Sequence, residues 1–310
     1  MRIVFMGTPD FAVETLKRCL EKHEVLGVFT QPDRPSGRGK KLTPPPVKVL
    51  AESQGINVYQ PEKIKKENWV EIIKSLEPDA LVVVAYGQIL SKEILETPKY
   101  GSINVHASLL PKYRGAAPIN WAIINGESKS GVTTMLMDVG LDTGDMLLKC
   151  DVDITNQMTA GELHDILAHK GADLLIETLK GIETGKITPE KQDHSLSNYA
   201  PMIQKEMANI SWSDDAISIQ RRIRGFNPWP VCYTHYEGNR IKLYTSEVIS
   251  EETEGNDGEI TEVLNDSFIV KCGKGSLKVT ELQYGNGKRM PVKAFLLGNT
   301  IEKGKILKEA

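Results

Sequence analysis

Arg2-Ile3-Val4-Phe5-Met6-Gly7-Thr8-Pro9 decides the fold. Arg2 to Met6 reads as a short apolar strand, Gly7 supplies the turn, Thr8 is placed to cap a helix, and Pro9 suits the first helical position. Ala12, Leu16 and Leu20 then recur at helical spacing, before a second strand at Val25 to Phe29. Strand-then-helix alternation continues outward from this unit, with further strands expected at 80–85, 103–107, 132–137 and 146–148. That order is the signature of an α/β fold, a mostly parallel sheet with helices on its faces. The unbroken apolar run Leu81-Val82-Val83-Val84-Ala85 suits a strand covered on both sides.

A long helix is expected after Thr159-Ala160-Gly161-Glu162, which matches the capping-box pattern. Beyond Gly185 the chain turns polar and rich in turn residues, which places a linker at 186–207 between domains 1–185 and 208–310. In the second domain, 214–224 reads as a helix ended by Gly225-Phe226-Asn227-Pro228. Short alternating strands follow at 233–236, 240–248, 258–264, 267–272 and 276–283, the pattern of a small β-barrel.

With 310 residues, 40% hydrophobic and 25% charged, the chain reads as a soluble globular protein of two domains. Neither a leader nor an apolar run of membrane-spanning length is found, so a cytoplasmic protein without membrane contact is expected. Cys19, Cys150, Cys232 and Cys272 are isolated in sequence, and the six histidines show no metal-ligand spacing, so inert thiols and no metal are expected. The net charge of −3 hides segregation. Between 31 and 48, Arg34, Arg38, Lys40, Lys41 and Lys48 face a single acid, Asp33. Turn residues Pro32, Pro35, Gly37 and Gly39 interrupt helix and strand alike there, which favours a functional loop over a solvated face.

Chemistry concentrates at Asn104-Val105-His106 and at Asp142 within Asp138-Val139-Gly140-Leu141-Asp142-Thr143-Gly144-Asp145. Asn104 and His106 lie two apart on one strand and share a face near its carboxyl end, where open α/β sheets bind ligands. An amide, an imidazole and a carboxylate can stabilise a developing oxyanion, move a proton and orient the imidazole. Nothing nearby is built as a nucleophile. The loop Ser108-Leu109-Leu110-Pro111-Lys112-Tyr113-Arg114-Gly115 follows directly, shaped by its Pro and Gly.

Asn104-x-His106, that loop and Gly140-Leu141-Asp142-Thr143-Gly144 resemble the active-site signature of the folate-dependent formyltransferases. Within that family, Phe5-Met6-Gly7-Thr8-Pro9-Asp10-Phe11, the basic stretch 31–41 and Arg224-Gly225-Phe226-Asn227-Pro228-Trp229-Pro230 resemble the members that act on methionyl-tRNA. The resemblance runs end to end. It implies a Rossmann-like catalytic domain, an OB-like barrel domain that binds tRNA, and direct formyl transfer from 10-formyltetrahydrofolate to the α-amino group of initiator methionyl-tRNA. Asn104 and His106 would stabilise the oxyanion, with Asp142 holding the imidazole in its tautomer. The folate cosubstrate, with no tightly bound cofactor, would lie along Ser108, Leu109, Leu110 and Pro111 and against Tyr86, Gly87, Gln88, Ile89 and Leu90. Arg34, Arg38, Lys40 and Lys41 would contact the tRNA, and the enzyme would act as a monomer.

Three rival readings fit the residues less well. A formyltransferase acting on a sugar or ribonucleotide amine would need neither basic loop nor barrel. A nucleotide-binding oxidoreductase is disfavoured because Met6-Gly7-Thr8-Pro9-Asp10-Phe11 lacks G-x-G-x-x-G. A non-catalytic RNA-binding module leaves Asn104, His106 and Asp142 unexplained.

Overall fold

The computed structural model describes residues 1–36, 41–66, 68–249 and 254–309. They form two compact units, one of 1–118, 129–153 and 164–200, the other of 119–128, 154–163 and 201–310.

The first unit contains β1 (Arg2–Gly7), β2 (Glu24–Phe29), β3 (Arg34–Ser36), β4 (Lys41–Thr43), β5 (Val58–Tyr59), β6 (Ala80–Val84), β7 (Ser102–His106), β8 (Arg114–Gly115), β9 (Lys129–Leu136), β10 (Met146–Asp153) and β11 (Tyr199–Ala200). Seven of these make one sheet in the order β10-β9-β7-β6-β1-β2-β5. Pairing is parallel from β7 to β5 and antiparallel where β9 joins β7 and β10. Each residue of β6 and β7 is buried, as a strand covered on both faces must be.

The helix after β1 runs Phe11–Lys22, two residues later than Thr8 and Pro9 suggested, with Asp10 as its cap. Thr8 is otherwise engaged, because its hydroxyl donates to the Tyr86 carbonyl at 2.9 Å. The capping box at the start of Ala160–Glu183 forms as expected. The Glu162 N–H donates to the Thr159 hydroxyl at 3.3 Å, and the Glu162 carboxylate accepts from the Thr159 N–H at 2.8 Å. The Thr159 N–H and hydroxyl, both donating to it, hold the Glu162 carboxyl below its ordinary range.

That helix fixes β7 from behind. A Cβ on Gly171 would stand 2.9 Å from Val105 Cγ1, so only glycine lets the helix backbone come this close. Val105 is thereby clamped on the face of β7 opposite Asn104 and His106.

Residues 186–200, read from their polarity as linker, are bound into the first unit. Glu190 pairs with Met146, and β11 adds in parallel to β8. Polarity marks exposure, which a polar segment hydrogen-bonded along a domain shares with a free tether.

In the second unit a helix, Ala216–Gly225, precedes β12 (Tyr233–Tyr236), β13 (Asn239–Ile249), β14 (Ile260–Val263), β15 (Phe268–Lys271), β16 (Ser276–Tyr284) and β17 (Met290–Pro291). They form an antiparallel path β12-β13-β16-β15-β14, with β17 on β16. Between the two path ends run the last residues. His235 and Lys308 exchange backbone hydrogen bonds at 2.9 Å, while the Leu307 N–H donates to Gly258 and the Ile260 N–H to Lys305, each at 2.8 Å. This tail is the seam of the expected OB-like barrel.

Candidate active site

The two-residue strand period sets Asn104 and His106 on one face of β7, 9% and 6% exposed. His106 Nε2 lies 2.9 Å from the Tyr113 carbonyl oxygen. A carbonyl only accepts, so Nε2 carries a hydrogen and the neutral ring keeps its lone pair on Nδ1. His106 Nδ1 faces Asp142 Oδ2 across 3.7 Å, too far for a hydrogen bond but close for an ion pair once the ring is protonated. Asp142 Oδ2 in turn accepts from the Gly115 N–H at 2.8 Å. Sequence reasoning gave the tautomer to Asp142; the structure gives it to the Tyr113 carbonyl, because the turn at 108–113 brings that oxygen back onto β7.

Among the described residues the Asn104 amide has no hydrogen-bond partner. With the residue 9% exposed and its amide not sealed from solvent, that group is free to donate to a ligand atom.

The loop behind these residues is closed by β9. Leu110 N–H donates to Thr133 Oγ1 at 3.1 Å, and that hydroxyl donates to the Ser108 carbonyl at 2.7 Å. Ser108 Oγ donates to the Lys112 carbonyl at 2.6 Å. Thr133 is fully buried, as is its neighbour Thr134, and neither was read from the sequence as part of the site.

A cavity of about 140 Å³ opens beside Asp142, walled by Gln88, Ile89, Leu90, Met135, Met137 and the loop 138–142. Of the residues expected at folate, Gln88, Ile89 and Leu90 line it. Tyr86 is buried in the core with Leu90, and its carbonyl is taken by Thr8 and Gln31. Gly87 turns the chain with φ +86°. Ser108, Leu109, Leu110 and Pro111 are not in the wall. Leu110 instead packs with Met135 and Met146, and Leu109 covers Gly131, the core role that apolar residues in a loop take when a sheet lies beneath them. Met135, Met137 and Leu141 were missed, since an apolar side chain in sequence does not show whether it walls a cavity or fills a core.

Arg34 and Lys41 are exposed, on β3 and β4. These strands pair antiparallel, Arg34 opposite Thr43, where the turn residues had suggested no strand. Arg38 and Lys40 lie outside the described residues. Lys48, counted with the basic stretch, is instead bonded to both Asp33 carboxylate oxygens at 2.9 and 3.0 Å and to Gln60 at 2.8 Å. Gln60 and Lys48 hold the Asp33 carboxyl below its usual range.

Among the described residues no cluster of three metal-ligating side chains occurs, and no helix is long and apolar enough to cross a membrane. Burial pushes the thiols of Cys232 and Cys272 up to about 12, which keeps them protonated and unreactive. With the Ser108 and Thr133 hydroxyls donating to carbonyls, the described part of this site offers no activated nucleophile.

The family follows from comparison with known proteins. A family profile described as formyl transferase matches residues 1–179, and one described as the formyl transferase C-terminal domain matches 202–300. A methionyl-tRNA formyltransferase from Clostridium novyi (strain NT) is 56% identical over 99% of this chain and 100% of its own length. Another from Alkaliphilus metalliredigens (strain QYMF) is 55% identical over 100% of this chain and 99% of its own. The chain belongs to the formyl transferase family.

Solved structures agree on the fold. WlaRD, a sugar 3N-formyl transferase, superposes with a TM-score of 0.68 at 21% identity, covering 93% of this chain and 99% of its own. HypX from Aquifex aeolicus, in complex with tetrahydrofolic acid, gives 0.64 at 17% identity, covering 98% of this chain and 50% of its own.

Proposed function

We propose that this chain transfers the formyl group of 10-formyltetrahydrofolate to the α-amino group of initiator methionyl-tRNA. The observation that carries the chemistry is the convergence of an amide with no other hydrogen-bond partner among the described residues, an imidazole with a free Nδ1 lone pair and a carboxylate, with no nucleophile among them. For the acceptor, support comes from the full-length relatives that bear the name methionyl-tRNA formyltransferase.

The substrate amine is the nucleophile. An α-amino group titrates near about 7.7–8.0, and an ester beside it lowers that further, so much of it is neutral at cytoplasmic pH. Asn104 donates to the formyl oxygen as that atom gains charge. His106 accepts, at Nδ1, the proton that the amine loses as its nitrogen bonds to the formyl carbon. Asp142 stabilises the imidazolium, which returns the proton to the folate nitrogen as the old carbon–nitrogen bond breaks. His106 thus acts as the proton carrier and leaves oxyanion donation to Asn104.

The cavity suits one end of the folate. Its Ile89, Leu90, Met135 and Met137 wall matches a flat ring, and about 140 Å³ is below the roughly 300–1,000 Å³ of sites that enclose a whole drug-sized ligand. Folate binds here as cosubstrate, and no tightly bound cofactor is required. The enzyme acts as a cytoplasmic monomer, and Arg34, Arg38, Lys40 and Lys41 meet phosphates of the tRNA. Replacing Lys41 by alanine raises KM for methionyl-tRNA and lowers the slope of log KM against log salt by about 1, since one phosphate contact goes. An unchanged slope would return Lys41 to the solvated surface.

One assay tests the whole reading. With 10-formyltetrahydrofolate as donor, charged initiator tRNA is formylated far faster than charged elongator tRNA or an amino sugar. Equal rates on the amino sugar would overturn the acceptor assignment.

A further inference from the structure

Two non-glycine residues of the site, Tyr113 and Asp142, have left-handed backbones, with φ +59° and +52°. Residues with a Cβ persist there only where their surroundings hold them. Both are held from one short segment, residues 192–198. Gln192 Nε2 donates to the carbonyls of Asp142 and Gly144, each at 2.8 Å. Asn198 Oδ1 accepts a short hydrogen bond from the Tyr113 N–H. Which end of each amide points where is fixed by its partners. Gln192 Oε1 accepts from Arg114 Nε at 3.1 Å and Nη2 at 2.6 Å, and guanidinium groups only donate. Backbone pairing completes the brace, with the Arg114 N–H on the Asn198 carbonyl and the Ala116 N–H on the Ala200 carbonyl, each at 3.0 Å.

We propose that Gln192 and Asn198 are positioning residues for formyl transfer, an inference that rests on the function proposed above. Neither touches the reacting atoms. Gln192 sets the backbone of the residue whose carboxylate faces His106 Nδ1, and Asn198 sets the backbone of the residue whose carbonyl holds His106 Nε2. Gln192 is 6% exposed and bridges two elements that the chain separates by nearly 30 residues, the loop at 142–144 and the strand at 114. The imidazole is therefore aligned from both sides by a segment whose composition resembles a tether.

The same chemical exchange, amide to acid, has opposite consequences at the two positions. Gln192→Glu preserves shape and gives Arg114 a better acceptor, yet points an oxygen at two carbonyls in place of the donor. Asn198→Asp keeps the acceptor that Tyr113 uses, whereas Asn198→Leu removes it. The test is steady-state kinetics of all three variants, with thermal unfolding and the imidazole nitrogen resonances of His106. Gln192→Glu and Asn198→Leu lower kcat by roughly 10- to 100-fold with little change in folate KM and shift the His106 resonances, while Asn198→Asp stays within about 3-fold of wild type. Wild-type kcat and unmoved resonances in Gln192→Glu would overturn the proposal, as would equal losses in all three with lowered melting. Should wild-type enzyme fail to formylate methionyl-tRNA, the function proposed above falls, and the His106 resonances alone then decide the positioning role.

Discussion

In an Asn104→Ala variant kcat falls about 10²–10³-fold, the loss typical of one oxyanion donor and equal to about 3–4 kcal/mol of transition-state stabilisation. Folate KM changes little, because the amide works on an oxygen that gains charge only as the carbon–nitrogen bond forms. Thermal stability does not fall with it. The Asn104 amide has no hydrogen-bond partner among the described residues and is not sealed from solvent, so alanine breaks no interaction. Steady-state kinetics beside a melting curve decides this: a near-normal kcat sinks the donor assignment. A large drop in melting temperature would show that the amide holds the strand together.

That expectation could be framed from sequence, and much of the fold with it. Local rules suffice where a residue's neighbours in space are also its neighbours in chain. Thus the apolar run of β6, the alternating strand β7 and the Thr159–Glu162 capping box all appear where their spacing put them. Asn104 and His106 share a face for the same local reason. What remained hidden depends on long-range closure. The Tyr113 carbonyl reaches His106 only because the turn at 108–113 folds back, and Gln192 reaches Asp142 across 50 residues. A polar stretch such as 192–198 carries no mark of whether its amides meet water or backbone. Leu110 illustrates the reverse case: a leucine in a catalytic-looking loop is equally consistent with ligand or core, and the structure puts it in the core.

His106→Ala should lower kcat by about 10²–10⁴-fold, the range for removal of a positioned acid–base group. Asp142→Asn should cost a loss of the same order through the same step, since the neutral amide no longer stabilises the imidazolium. Its fold survives, because Asn retains an oxygen for the Gly115 N–H and tolerates the left-handed φ of +52° as Asp does. The double variant is then little worse than either single one, as expected for residues that act as a unit. Additive losses would mean that the two act on separate steps. His106→Ala also leaves the Tyr113 carbonyl without its ring N–H, a destabilisation of about 1–3 kcal/mol that the Asn104 variant does not share. The two substitutions therefore separate in a melting experiment even where their rates agree.

The seam at residues 305–308 carries a liability of another kind. It covers the free sides of β12 and of the Gly258–Ile260 stretch at once, so four residues protect two strand edges from outside chains. A protease cut just before Lys305 would bare both edges together. Each row of unpaired N–H and carbonyl groups could then take a strand from a neighbouring molecule. Such trimmed copies would join edge to edge into oligomers while their catalytic residues stayed chemically intact. In ageing preparations, particle size would then register the damage before activity did.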